Sequence, residues 1–92
     1  MTNNFLQIDV ITPETSFSYS DIHLATMPGS EGEFGVMPGH VPMIVGLSDG
    51  TITMQQGNHL KIIKLSISNG FCEVTAKKIV VLTEKAEELA HK

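Results

Sequence analysis

The chain has one cysteine, no tryptophan, a single tyrosine and only six Lys plus Arg among 92 residues. With Cys72 alone, an internal disulfide and a multi-cysteine metal site are both excluded. No basic neighbour in sequence would lower its pKa, so Cys72 reads as a small buried hydrophobe. The scarcity of cations leaves a formal charge of −4 and argues against a nucleic-acid partner, because phosphate binding needs clustered Lys and Arg. The one basic grouping, Lys77-Lys78, reads as a turn. Long apolar runs are also missing. Ile79 to Leu82 falls far short of the roughly 18 residues that span a bilayer, so any membrane association is expected through partners, without direct insertion. The opening MTNNFLQIDV has neither the basic and apolar regions of a secretory signal nor the Arg-rich character of a transit peptide, which predicts a cytoplasmic or already processed chain.

What is present describes one small domain. Ninety-two residues support a single core and exclude an enzyme with a second, substrate-closing domain. Turn signals at Asp49-Gly50, Gly57-Asn58 and Asn69-Gly70 each separate segments of β propensity and predict three consecutive hairpins. Ile52 and Met54 alternate with Thr51, Thr53 and Gln55, and Cys72, Val74 and Ala76 with Phe71, Glu73 and Thr75, the period-two pattern of half-buried strands. The phase changes between Leu60-Ile62 and Ile63-Leu65-Ile67, which predicts a β-bulge or a doubly buried strand near Ile63. Phe5 to Ile11 and Phe17 to Met27 read as further strands, and Ile79 to Leu82 as a central one. The expected fold is an all-β flattened sandwich or barrel of about ten short strands over residues 1–84. Residues 85–92 are rich in helix formers but supply barely two turns, so they are expected to be a vestigial helical or frayed tail.

The densest stretch is Gly29 to Met43, GSEGEFGVMPGHVPM, a Gly- and Pro-rich loop between strands. Gly29, Gly32 and Gly35 are not followed by a helix or a Gly-Lys-Ser/Thr ending, so a nucleotide role does not follow. His23, His40, His59 and His91 are dispersed without metal-ligand spacing, and no G-x-S-x-G elbow accompanies the serines. No catalytic, cofactor or metal residue is therefore assigned. His40, between Gly39 and Pro42 on a stiff loop, reads as a structural or interface histidine. Glu31 and Glu33 stand at i, i+2 without an aromatic platform for a sugar, so a glycosidase pair is set aside. They are either simply solvated or an electrostatic docking site for a basic partner. Met37, Val41 and Met43 read first as core, and second as an adaptable apolar surface on a stiff backbone.

Gly29-Ser30-Glu31-Gly32-Glu33-Phe34-Gly35-Val36, followed by Pro38-Gly39-His40 and Pro42, closely resembles the signature loop of the ε subunit of bacterial F-type ATP synthase. The likeness extends to Leu6–Pro13, the Phe17 strand, Leu65-Ser66 leading to Gly70, and Val80-Val81-Leu82-Thr83-Glu84. It implies a flattened ten-stranded sandwich and a non-catalytic rotor subunit on the foot of the central stalk. Such a subunit holds γ to the c ring, couples proton transport to ATP synthesis in the α and β hexamer, and lies at the cytoplasmic face of the bacterial inner membrane. By that resemblance Glu31 and Glu33 match the loop facing the c ring, and Thr12, His40 and Val45 match the surface that packs against γ.

Two departures stand out. The family usually has two adjacent glycines where this chain has Asn69-Gly70, and Asn also tolerates left-handed φ. The typical member also continues into a C-terminal helical hairpin, whereas this sequence ends at Lys92. The resemblance then implies a subunit that couples without inhibiting through that hairpin. Two readings from other classes stay open beside it: an independent small β-sandwich binding module, and a small hydrolase using His40 with Glu31 or Glu33.

Overall fold

Alternating side chains commit this chain to strands because each strand buries one face only. In the computed structural model, which describes residues 5–58 and 61–89, nine strands form. They are β1 (Leu6–Ile11), β2 (Ser16–Gly29), β3 (Gly32–Val36), β4 (Met43–Leu47), β5 (Gly50–Gln56), β6 (Lys61–Ile67), β7 (Gly70–Val74), β8 (Lys78–Thr83) and β9 (Ala86–Glu88). The first half of β2 pairs with β1, and the order continues through β8 and β7 to β4. The second half of β2 pairs with β3 and β5, and that layer continues through β6 to β9. Two layers therefore share one long strand. A single pair, Gly29 with Leu47, joins β2 back to β4 and closes the corner.

β2 changes layers at two adjacent bulges. Ser20 and Asp21 lie opposite the lone Gln7 of β1, and His23 is the extra residue opposite β5. A bulge bends its strand and tightens the local twist, which is how a strand passes from one sheet to another. Asp21 has a φ of 59°, the left-handed region that short polar side chains tolerate best. Its carbonyl accepts the Gly57 amide at 2.9 Å, and Ser20's carbonyl accepts from Gln56 Nε2 at 2.9 Å, so both freed acceptors are used.

Between the layers lies one core. Leu6, Ile8 and Val10 of β1 meet Ile79 and Val81 of β8 from the same layer, and Ile52, Met54 and Leu65 from the other. Burying each large aliphatic contributes roughly 1.5–3 kcal/mol. β1 and β8 run parallel and β8 is flanked on both sides, in line with the central position expected for Ile79 to Leu82.

Three local expectations are corrected. Of the three hairpins, only β5–β6 forms, across a turn where Gly57 has a φ of 72°. Asp49-Gly50 and Asn69-Gly70 instead carry the chain between layers, so β4 pairs with β7 and β7 with β8. Turn residues mark a change of direction and say nothing about the next partner. Gly70 is needed for closeness: a Cβ there would collide with the Leu82 carbonyl oxygen. The bulge expected near Ile63 is also absent, since the β5–β6 register runs unbroken from Gly50–Ile67 to Gln56–Lys61. Ile62 simply points outward while Ile63, Leu65 and Ile67 point in.

The third correction concerns the tail. Within the stretch expected to be helical or frayed, Ala86–Glu88 forms β9, pairing Ala86 with Ile67 and Glu88 with Leu65. Two turns of helix formers cannot meet the cost of nucleation, whereas the open edge of β6 offers backbone partners at once. Thr83 anchors this segment. Its buried hydroxyl donates to the Ser68 carbonyl at 2.5 Å, with the carbonyls of Asn69 and Lys85 at 3.0 and 3.3 Å. Residues 90–92, which complete the expected tail, lie outside the described residues.

Gly70→Ala is expected to lower stability by about 2 kcal/mol or more through overpacking against backbone. Gly57→Asn, at a left-handed position open to solvent, is expected to cost well under 1 kcal/mol. Urea midpoints compared at constant slope check both.

Candidate functional site

The registers define two ends of the sandwich. One end gathers the turns at 12–15, 30–31, 48–49, 68–69 and 84–85, because Ile11, Leu47, Gly70 and Thr83 are neighbours there. The other gathers the loop 37–42 and the turns at 57–58 and 75–77. Gly39 N–H binds the Ala76 carbonyl at 2.8 Å and fixes the 37–42 loop to that end.

The outer face of the β1-β8-β7-β4 layer is apolar at one end and polar toward the other, where Asp9, Glu73, Gln7 and Lys78 share it. Ile11, Leu82 and Phe71 stand side by side on β1, β8 and β7, and the bare Gly46 of β4 follows. In the next row Val80 and Glu73 lead to Ile44, which is 72% exposed. Met37 (61%) and Val41 (68%) are exposed on the loop that leads into β4. The core expectation is corrected for these two, while Met43 is half-buried against the core. Prolines 38 and 42 straighten that loop, so its side chains cannot all fold back inward. Ile11, Leu82 and Phe71 form one exposed apolar row across three adjacent strands.

A polar cluster borders the patch. Asp9 Oδ1 accepts from Ser18 Oγ at 2.6 Å and Gln7 Nε2 at 2.9 Å, while Lys78 Nζ lies 3.3 Å from Oδ2. The Ser18 bond first, then Gln7, and more weakly Lys78, hold the Asp9 carboxyl below its usual range against an opposing desolvation.

The β2–β3 hairpin supplies a second surface. Its base is tied to β4 on both sides by Ser30 N–H to the Gly46 carbonyl and Ser48 N–H to the Pro28 carbonyl, each 2.9 Å. Glu31 at the tip and Glu33 on β3, opposite Pro28, are exposed. Exposed Glu14, Asp49 and Glu84 occupy neighbouring turns at the same end. Lys61, Lys77 and Lys78 lie at the opposite end beside Asp21, so charge is unevenly spread along the strands.

The remaining sequence candidates fall as follows. Thr12 is half-buried at the acidic end, its hydroxyl donating to the Thr15 carbonyl and accepting the amides of Thr15 and Glu14. His40 lies at the opposite end and donates through Nδ1 to the Val41 carbonyl at 2.8 Å. Val45 sits between them on β4, half-buried against the core, with Ile44 beside it facing solvent. Thr12, His40 and Val45 thus span one layer without forming a cluster. His23 meets the Phe5 ring edge-on with ring centroids 4.6 Å apart; among the described residues its Nε2 and the Tyr19 hydroxyl have no hydrogen-bond partner. His59 and His91 lie outside the described residues. Burial pushes the Cys72 thiol up to about 11. Among the described residues no three His, Cys, Asp or Glu side chains converge as a metal site, and no helix is long and apolar enough to cross a membrane. Ile11, Phe71 and Leu82 went unread in the sequence; their signal was an apolar residue on the parity opposite to Val10, Cys72 and Val81.

An all-β domain of two layers sharing one long strand belongs to the class of small β-sandwich domains. The chain is a member of the family described as the ATP synthase delta/epsilon chain, beta-sandwich domain, which it matches over residues 5–89. It is 40% identical over 81 residues to the ATP synthase epsilon chain of Desulforamulus reducens, covering 88% of this chain and 60% of that one. It is 41% identical over 81 residues to that of Magnetococcus marinus, covering 88% and 58%. The chain therefore spans about three fifths of the length of these relatives. Its fold matches a chain of the Euglena gracilis mitochondrial ATP synthase with a TM-score of 0.81 at 20% identity, covering 96% of this chain and 55% of that one. A chain of the Tetrahymena thermophila mitochondrial ATP synthase central stalk and c ring gives 0.71 at 10% identity, covering 89% and 65%.

Because its carboxyl pKa is depressed in the folded state, Asp9 contributes stability above the unfolded value of about 3.9 and loses it as pH falls through the folded value. Asp9→Asn is expected to be less stable than the native chain above about pH 5, with the gap closing below about pH 4. Denaturant titrations across that range measure it. Cys72, neutral and buried, is expected to resist iodoacetamide at pH 8 until urea unfolds the chain, as mass spectrometry of the alkylated fraction would show.

Proposed function

We propose that this chain is a non-catalytic central-stalk subunit of an F-type ATP synthase, linking γ to the c ring so that proton-driven ring rotation reaches the α and β hexamer. The observation that carries this reading is the placement of two unlike surfaces on one domain: an apolar sheet face and an acidic end roughly at right angles to it. A domain so built can hold two partners at once. Family membership and the names of the relatives supply the complex.

In this reading γ covers the outer face of the β1-β8-β7-β4 layer, with Thr12 and His40 at its two ends and Ile44 between them, while Val45 on the inward parity of β4 backs that surface from the core. Apolar contact there supplies the affinity, because removing that surface from water contributes about 25 cal/mol per Å² before ordering costs. Glu31 and Glu33 face the polar loops of the c ring. Exposed charges of this kind give orientation and association rate more than affinity. The working location is the cytoplasmic face of the bacterial inner membrane, reached through these partners.

The test is co-purification with γ and the c ring from the same organism. Stoichiometric capture of the native chain is expected. Glu31→Lys with Glu33→Lys should weaken ring capture about tenfold at low salt and less at high salt, leaving γ binding intact. Ile44→Asp should do the reverse. A folded native chain that captures neither partner would end this reading in favour of an independent sandwich module.

A further inference from the structure

The apolar face is not flat where it reaches the acidic end. Ile11, Pro13, Phe71 and Leu82 floor a shallow depression of about 390 Å³ that Asn69 and Glu84 rim. Gly70 is among its lining residues and contributes no side chain to fill it; a Cβ there would collide with the Leu82 carbonyl oxygen. Beyond Thr12 and Glu84, which line both, a wider cleft opens with Glu14, Asp49 and Glu87 in its wall and Lys85 as the one cation along it among the described residues.

We infer that this pocket is the energetic anchor of the γ interface, receiving one large apolar side chain of γ that is flanked in its own sequence by Lys or Arg. This rests on γ as the partner of the sheet face. Anchors of this kind lie in concave, desolvated apolar pockets, and the surrounding contacts mainly exclude water. The floor offers Phe71, half exposed, beside two branched aliphatics, a surface an aromatic or Leu side chain fills. The charge of the rim sets the flank. Glu84, Glu14 and Asp49 outnumber Lys85, so cations on the occupant meet complementary potential. A second copy of this chain would bring the same carboxylates and a net charge of −4 against them, which disfavours it as the occupant.

Calorimetric titration of γ into the native chain and its variants tests this. Phe71→Ala is expected to weaken binding about thirtyfold or more, Ile44→Ala less than about fivefold, and Phe71→Leu to restore most of the loss. Glu84→Gln should slow association at low salt and not at high salt. Phe71 lies outside the core, so Phe71→Leu should stay close to the native urea midpoint and Phe71→Ala should lower it only modestly while staying folded at the titration temperature. Methyl shifts of Ile11 and Leu82 on adding γ give an independent readout on the unaltered chain. Native binding with Phe71→Ala within threefold, or with unmoved Ile11 and Leu82 methyls, overturns the pocket alone. Absence of native binding overturns the γ reading with it. Concentration-dependent dimers abolished by Phe71→Ala would assign the pocket to a second copy and overturn the inference.

Discussion

Everything in this domain hangs on one strand that belongs to two layers. The 14 residues of β2 begin beside β1 and end between β3 and β5. Only the paired bulges at Ser20-Asp21 and His23 let a continuous backbone make that turn while keeping Ile22, Ala25 and Met27 in the core. A one-residue slip without a compensating bulge would flip the later side chains to solvent. The bulges therefore set which residues of β2 face inward on each side of the bend, and through β5 and β1 they set the register of both layers.

The acidic hairpin is a direct product of that arrangement. Because β2 overruns the second layer as far as Gly29, its turn into β3 projects from the end of the sandwich, and the Gly46 and Ser48 contacts to β4 hold it there. The apolar face arises differently. β8 is central in its layer and apolar on both parities, so Ile79 and Val81 fill the core while Val80 and Leu82 are left on the outer side. Phe71 and Ile11 flank Leu82 and widen the strip. One surface is thus a consequence of strand length and the other of doubly apolar strands, which is why they lie on different sides of the same rigid body.

Polarity along the strands adds a third element. Carboxylates outnumber Lys85 in the turns at one end, while Lys61, Lys77 and Lys78 lie at the other beside Asp21, so the net negative charge is unevenly spread along the strands. Such a field orients an approaching partner before contact. It also guards the open edges: Glu33 on β3 and Glu87 and Glu88 on β9 place charge where bare edge strands would otherwise pair with another copy.

Much of the fold was readable because alternation is a local property: Ile52, Met54, Cys72 and Val74 announce their burial within a few residues. The Gly29–Met43 stretch was legible only in part. Its turn residues and exposed glutamates are local features, but the loop reading is corrected over Gly32–Val36, which forms β3 against Ala25–Gly29 and buries Val36 in the core. Pairing was not legible. Asp49-Gly50 and Asn69-Gly70 look like hairpin turns, yet they cross between layers, because the choice of partner depends on which distant strand edge is vacant. The tail shows the same limit: Glu84 to Leu89 has helical composition, and the open edge of β6 overrode it. The sequence by itself determined most of the longer strands, much of the core and the position of the acidic turn, all set by side-chain chemistry over short spans, but not β3, β4 or β9. Tertiary structure alone decided the strand order, the β2 bulges and the row of Ile11, Leu82 and Phe71. Those depend on backbone groups and side chains tens of residues apart finding each other's edges.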